Sequence, residues 1–195
     1  MSTTPRIILA SSSKYRRELL ARLGLPFDAG SPDVNETALP GEVPQDTARR
    51  LAEAKARAVG ARFSRAIIIG SDQVAVLDGV ALGKPGNYAN ALRQLKSMRS
   101  KQVVFHTALC LHNTANGVTE TRVVPYSVRF RDYSDAQIDN YLRREQPYDC
   151  AGSARAEGLG IALIAEMHGT DPSALIGLPL IALTEMLAAQ GVQVI

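Results

Sequence analysis

The chain has 195 residues, 46% of them hydrophobic and 21% charged, with a net charge of +3. That length suits one large domain with an ample core and room for two lobes, and the modest charge argues against a nucleic-acid binder. With no Trp, two well-separated cysteines and no long apolar run, neither base-stacking platforms, zinc or disulfide frameworks nor membrane spans are expected.

Residues 7–10 (Ile-Ile-Leu-Ala) read as a short buried strand, followed by Ser11-Ser12-Ser13 and Lys14-Tyr15-Arg16-Arg17. A serine is a natural N-cap, Leu19, Leu20 and Leu23 give helical periodicity, and Gly24 stops it. The serines and cations therefore fall at a helix N-terminus, where backbone N–H groups and the helix dipole favour an anion. This is read as a phosphate cradle. No signal-peptide pattern precedes it, so a cytoplasmic protein is expected.

The span 26–44 is rich in Pro and Gly and carries Asp33-Val34-Asn35-Glu36, either a solvated acidic loop or part of a site. A helix is predicted over 45–63. Lys55 lies inside its apolar stripe, either snorkelling at the edge or reaching an anionic ligand. Residues 66–70 form an apolar strand, and Asp72 just after it is aimed at the crevice where α/β sheets collect ligands, unless it is a turn carboxylate. Asp78-Gly79 marks a hairpin between 74–77 and 80–82, and Gly83-Lys84-Pro85-Gly86 is a tight turn with a cation at its tip.

A helix capped by Asn87 runs to about Met98, and strands over 102–111 and 118–131 flank Asn116-Gly117. Ser134 to Gln137 is a capping box whose helix turns Ile138, Tyr141 and Leu142 inward and leaves Asp139 as a surface charge. The small segment 150–158 lets backbone approach a ligand, and a strand is expected over 159–165. A turn over 168–173 precedes the last helix, which Pro179 starts and Gly191 ends. Cys110 and Cys150 read as small buried residues. His106, His112 and His168 have no ligand spacing, so a metal here must use oxygen ligands.

Serines and Arg16 at a helix N-terminus, with Lys55 and Lys84, suit a polyphosphate. Glu36 and Asp72 suit a hard cation such as Mg²⁺ or Mn²⁺ and activation of a water. The reading is metal-assisted hydrolysis of a phosphoanhydride. Its competitor is a nucleotide-binding regulator, which would have no use for Asp72 beside the phosphates it repels.

Leu9-Ala10-Ser11-Ser12-Ser13-Lys14-Tyr15-Arg16-Arg17 resembles the opening signature of the Maf family of nucleotide pyrophosphatases. Asp33 to Glu36, Leu51 to Ala56, Gly70 to Val74, Gly83-Lys84-Pro85, Ala151-Gly152 and Gly177-Leu178-Pro179-Leu180 match it in order, so the likeness covers essentially the whole chain as a single domain, 1–195. The resemblance implies an elongated mixed α/β fold, a twisted sheet flanked by helices, with a deep cleft between two lobes. It implies cleavage of nucleoside triphosphates to monophosphate and pyrophosphate with a divalent cation (Mg²⁺, Mn²⁺ or Co²⁺). Asp72 matches the general base, and Ser11, Ser13, Arg16, Glu36, Lys55 and Lys84 match other active-site positions, with Asp72 and Glu36 as candidate metal ligands. Lys14 departs from the usual Pro and reads as incidental.

Tyr15, Gln73 and Glu157 resemble the branch acting on 7-methyl-GTP rather than the one acting on dTTP and UTP. N7-methylation makes guanine cationic, so Tyr15 could stack on it and Glu157 pair with its charge. Without the resemblance, Tyr15 would read as packing on Leu19 and Glu157 as a surface charge. The partner expected is a small nucleotide, with no nucleic acid or membrane and with a homodimer allowed. A binding role in septum formation is the non-enzymatic alternative.

Overall fold

The computed structural model describes residues 5–195. Its elements in chain order are β1 (Arg6–Ala10), α1 (Lys14–Ala21), β2 (Asp28–Gly30), α2 (Pro44–Gly60), β3 (Ala66–Leu77), β4 (Val80–Leu82) and α3 (Tyr88–Met98). There follow β5 (Gln102–Asn113), β6 (Thr119–Phe130), α4 (Asp135–Glu145), β7 (Ile164–His168), α5 (Pro172–Ile176) and α6 (Leu180–Ala189). The seven strands form one mixed, open sheet in the order β2-β1-β3-β5-β6-β7, with β4 on β3. β1 is parallel to β2 and β3, whereas β4 and β7 run antiparallel to β3 and β6.

The chain divides into two compact units. One holds the described residues up to Asp72 with Thr107–Val124 and Asp171–Ile195, and the other holds Gln73–His106 and Pro125–Thr170.

In the first unit β1 and the first half of β3 are covered on both faces, as parallel strands usually are. Ile7, Leu9, Ile67 and Ile69 point to one face and join Leu19, Leu20, Leu183 and Leu187 of α1 and α6 in the core. Each such side chain contributes roughly 1.5–3 kcal/mol by burial. The opposite face carries Ile8, Ile68, Gly70 and Asp72 under α2. There is no room for a side chain at 70, because a Cβ would lie 2.2 Å from the Ala52 carbonyl oxygen. Gly70, Ala52 and Ala56 thus let helix and strand backbones approach closely. In the second unit α3 and α4 pack together. Tyr88 Oη donates to Asp139 at 2.5 Å, and the buried Tyr133 hydroxyl donates to the Leu95 carbonyl at 2.7 Å.

The structure corrects several expectations. Asp72 lies within a strand, not after one, since β3 runs unbroken to Leu77. What ends is β1: Ala10 pairs with Gly70, so Asp72 stands just beyond the carboxyl end of its neighbour. Residues 159–163 form a 3₁₀ turn rather than a strand. The Ile161 N–H bonds the Gly158 carbonyl, Glu145 accepts from the Leu159 N–H, and a Cβ at Gly160 would meet the Arg155 backbone at 2.4 Å. β7 begins only at Ile164. Asp139 is a surface charge, as expected, and both Tyr88 and Arg143 donate to it. The 168–173 turn runs into a short helix, α5, and the 26–44 loop contains β2. Cys110 is buried, its thiol pushed up to about 11 mainly by that burial, but Cys150 is only half-buried.

Candidate active site

Ser13 is the N-cap of α1: its Oγ accepts from the Arg16 N–H at 3.4 Å. Ser11, itself buried, accepts from the Ser13 N–H at 3.1 Å. Each hydroxyl spends a lone pair on the backbone and keeps its proton as the group it can offer a phosphate. Between them they hold the chain that delivers Arg16 in the first turn. Arg16 Nε donates to the Gly177 carbonyl at 2.8 Å.

On the other face of β3, Lys55 reaches from α2 to Asp72. Its Nζ lies 2.6 Å from Asp72 Oδ1 and 2.7 Å from Glu36 Oε1. Lys55 and Asp72 are buried, while Glu36 comes from the exposed loop. Burial pushes the Asp72 carboxyl up and Glu36 adds to this, while Lys55 and Arg16 oppose it; the outcome is a carboxyl above its ordinary range. Burial depresses the Arg16 guanidinium, with Asp72 and Glu36 acting the other way, and arginine remains a cation throughout. A basic carboxylate thus stands beside two cations and a helix N-terminus, the equipment for taking a proton from water near a phosphate.

Tyr15, next to Arg16, is half-buried, and the Lys14 ammonium lies 4.8 Å from its ring centroid. Lys14 itself is exposed, and its contact with this ring is one between neighbours in the sequence.

Gln73, Lys84 and Glu157 belong to the second unit. Gln73 follows Asp72 on β3 and is half-buried. Lys84 is exposed on its turn, where the Gly86 N–H bonds the Tyr148 carbonyl at 3.0 Å. Glu157 lies 3.4 Å from Arg155 Nε, and Arg155 also pairs with Glu145 at 2.7 Å. The Tyr141 hydroxyl accepts from the Arg155 N–H at 3.1 Å, anchoring the segment that carries Glu157.

Two supporting groups escape sequence reasoning. Ser71 is fully buried, with its Oγ 2.8 Å from both the Gly177 and the Ala108 carbonyl oxygens, which share its one proton, so the Gly177 carbonyl is approached by both Ser71 and Arg16. Asp171, which reads as a turn residue, is buried. Its Oδ1 accepts from the Ser173 N–H at 3.1 Å and its Oδ2 from the Ile181 N–H at 2.8 Å, so it caps α5 and α6 together. Asp-Pro-Ser was the available signal for the first cap, and nothing local announces the second. Among the described residues, no three His, Cys, Asp or Glu side chains converge on a metal position, and no helix is long and apolar enough to cross a membrane.

The family model described as "Maf-like protein" matches residues 6–190. The chain is 62% identical over 191 residues to a protein of Methylobacillus flagellatus named 7-methyl-GTP pyrophosphatase, covering 98% of this chain and 100% of that one. Proteins of the same name from Nitrosospira multiformis and Nitrosococcus oceani are 60% and 57% identical, covering 97% and 98% of this chain and 96% of each relative.

Proposed function

Since the chain belongs to the family of Maf-like proteins, we propose that it is a nucleotide pyrophosphatase that converts 7-methyl-GTP to 7-methyl-GMP and diphosphate, a house-cleaning activity against a modified nucleotide. The observation that carries the chemistry is the buried Asp72 carboxylate, raised above its ordinary range yet held by Lys55 at 2.6 Å. The relatives' shared name carries the choice of base.

In this reading Ser11, Ser13 and Arg16 hold the phosphates at the N-terminus of α1, and Lys84 supplies a further cation. Water attacks the α-phosphorus, the bond to the oxygen bridging to the β-phosphorus breaks, and pyrophosphate leaves with that electron pair. Asp72 takes the proton from the water. Its raised basicity suits this, because a general base works best with a pKa near the operating pH.

Charge bookkeeping also speaks for a divalent cation. Arg16 and Lys55 are balanced by Glu36 and Asp72, so this cluster by itself has no surplus positive charge for a triphosphate. Asp72 and Glu36 would hold the cation together with phosphate oxygens and water, the donor set Mg²⁺ takes. When bound, it would neutralise phosphate charge and acidify water. Tyr15, already facing a cation, would stack on the cationic 7-methylguanine ring, and the carboxylate of Glu157 has the charge to pair with such a base. The match over residues 6–190 supports a single Maf-like domain, and a cytoplasmic location is part of the reading because nucleotides are used there.

Pyrophosphate release by the purified protein with Mg²⁺, Mn²⁺ or Co²⁺ tests this. Turnover of 7-methyl-GTP well above GTP, dTTP and UTP is expected. A preference for dTTP and UTP would move the chain to the other branch, and nucleotide binding without turnover would make it a regulator.

A further inference from the structure

Lys84 stands on a turn between two glycines, Gly83 and Gly86, the latter at φ 72°. Such a turn is floppy unless something holds it, because glycine has the most backbone freedom to lose. Two amides on α3 hold it. Asn90 Nδ2 donates to the Pro85 carbonyl at 2.8 Å, and Gln94 Nε2 donates to the Gly83 carbonyl at 2.9 Å. Asn90 and Gln94 are four residues apart and so share one face of the helix. The carbonyls on either side of Lys84 are thus both captured.

Gln94 does more than Asn90. Its Oε1 accepts from the Ser153 hydroxyl at 2.5 Å. Ser153 is fully buried at φ 55°, directly after Gly152 at φ 72°. A serine in that left-handed region is strained and persists only where its surroundings fix it. Two residues further, Arg155 binds Glu145 and Glu157. One amide side chain therefore ties the turn bearing the phosphate cation to the segment leading to Glu157.

We infer that Gln94 is a positioning residue: it fixes the Gly83–Gly86 turn so that Lys84 meets the polyphosphate without an ordering cost, and it couples that turn to the Gly152-Ser153 corner. The inference rests on the reading of Lys84 as a phosphate ligand. Pre-ordering a ligand-binding loop stabilises the complex by removing an entropy loss from binding.

The test is a double-mutant cycle on pyrophosphate release from 7-methyl-GTP, with Gln94→Leu, Lys84→Ala and the double variant. Gln94→Leu should raise KM by roughly three- to tenfold, about the effect of one net hydrogen bond, with a smaller change in kcat. In the Lys84→Ala background the same substitution should cost almost nothing, because the residue it acts through is gone. An equal cost in both backgrounds would overturn the inference while leaving Lys84 a phosphate ligand. No effect of Lys84→Ala on KM would remove that reading and the inference with it. Gln94→Glu keeps the acceptor for Ser153 and loses the donor toward Gly83, and it preserves shape should the Leu variant not fold. It should raise KM as Gln94→Leu does; wild-type kinetics would mean that Gln94 serves only to hold Ser153, and would overturn the inference.

Discussion

In the first unit the decisive charges are inside: Lys55 and Asp72 are both buried and meet at 2.6 Å. In the second unit Lys84 and Glu157 are exposed, and what is fixed is the backbone beneath them. Burying a charge is expensive and requires a partner, but it is also what moves a pKa. An exposed charge costs little to hold and stands where a ligand can reach it. The first arrangement suits proton transfer; the second suits recognition of a ligand that arrives with its own charge.

Four substitutions press on that difference. The largest effect is expected from Asp72→Asn, which keeps the shape and removes the carboxylate proposed as the base. Turnover should fall by about 10²–10⁴-fold, the usual worth of general base catalysis, while titration calorimetry still detects nucleotide binding. Substantial activity in this variant would mean that the buried carboxylate is not the base.

Lys55→Met removes the cation that opposes burial at Asp72. It should lower kcat/KM by roughly 10–100-fold, the scale of a charge-assisted hydrogen bond. The sign of its pH effect is also fixed. Lys55 favours the ionised carboxylate, so without it the Asp72 pKa rises further and the acidic limb of the rate profile moves to higher pH. A limb that stays put, or moves down, would separate Lys55 from the titration of Asp72.

Gly70→Ala attacks the packing that brings α2 to β3, since its Cβ would sit 2.2 Å from the Ala52 carbonyl oxygen. Overpacking of this kind costs typically about 1–3 kcal/mol, and each kcal/mol lowers Tm by about 2–4 °C in a chain of this size. An unchanged thermal midpoint would show that the helix can retreat at no cost.

Glu157→Gln should do least to the molecule and most to its choice of base. The preference for 7-methyl-GTP over GTP should shrink by about tenfold, with stability changed by no more than about 0.5 kcal/mol. Equal losses on both nucleotides would place Glu157 away from the base.

Local signals were legible where their physics is local. The Ser13 cap, the reciprocal Ser134–Gln137 box and the Asp78-Gly79 hairpin all formed as their residues suggest. Lys55 drew notice as a cation in an apolar stripe, and it is buried. The failures lie where a distant group decides. Residues 159–163 have strand composition, but Glu145 and the lack of room at Gly160 turn them into a 3₁₀ coil. Gln94 looks like an ordinary helix-surface amide until two loops from elsewhere in the sequence bond to it. Asp171 looks like a turn residue until α6 presents its N–H groups.

By itself the sequence determined the helix and strand alternation, the serine-capped N-terminus of α1, the family, and the short list of charged side chains around which the chemistry is proposed. These follow from periodicity, caps and ordered motifs, all carried by neighbours along the chain. Only the tertiary structure decided that Asp72 lies inside a continuous strand just past the end of β1, and that Lys55 joins it to Glu36. It also decided that the Gly177 carbonyl is approached by both Arg16 and Ser71. These are contacts between residues up to 161 positions apart, and their geometry depends on how closely a helix can approach a strand, which no local pattern encodes.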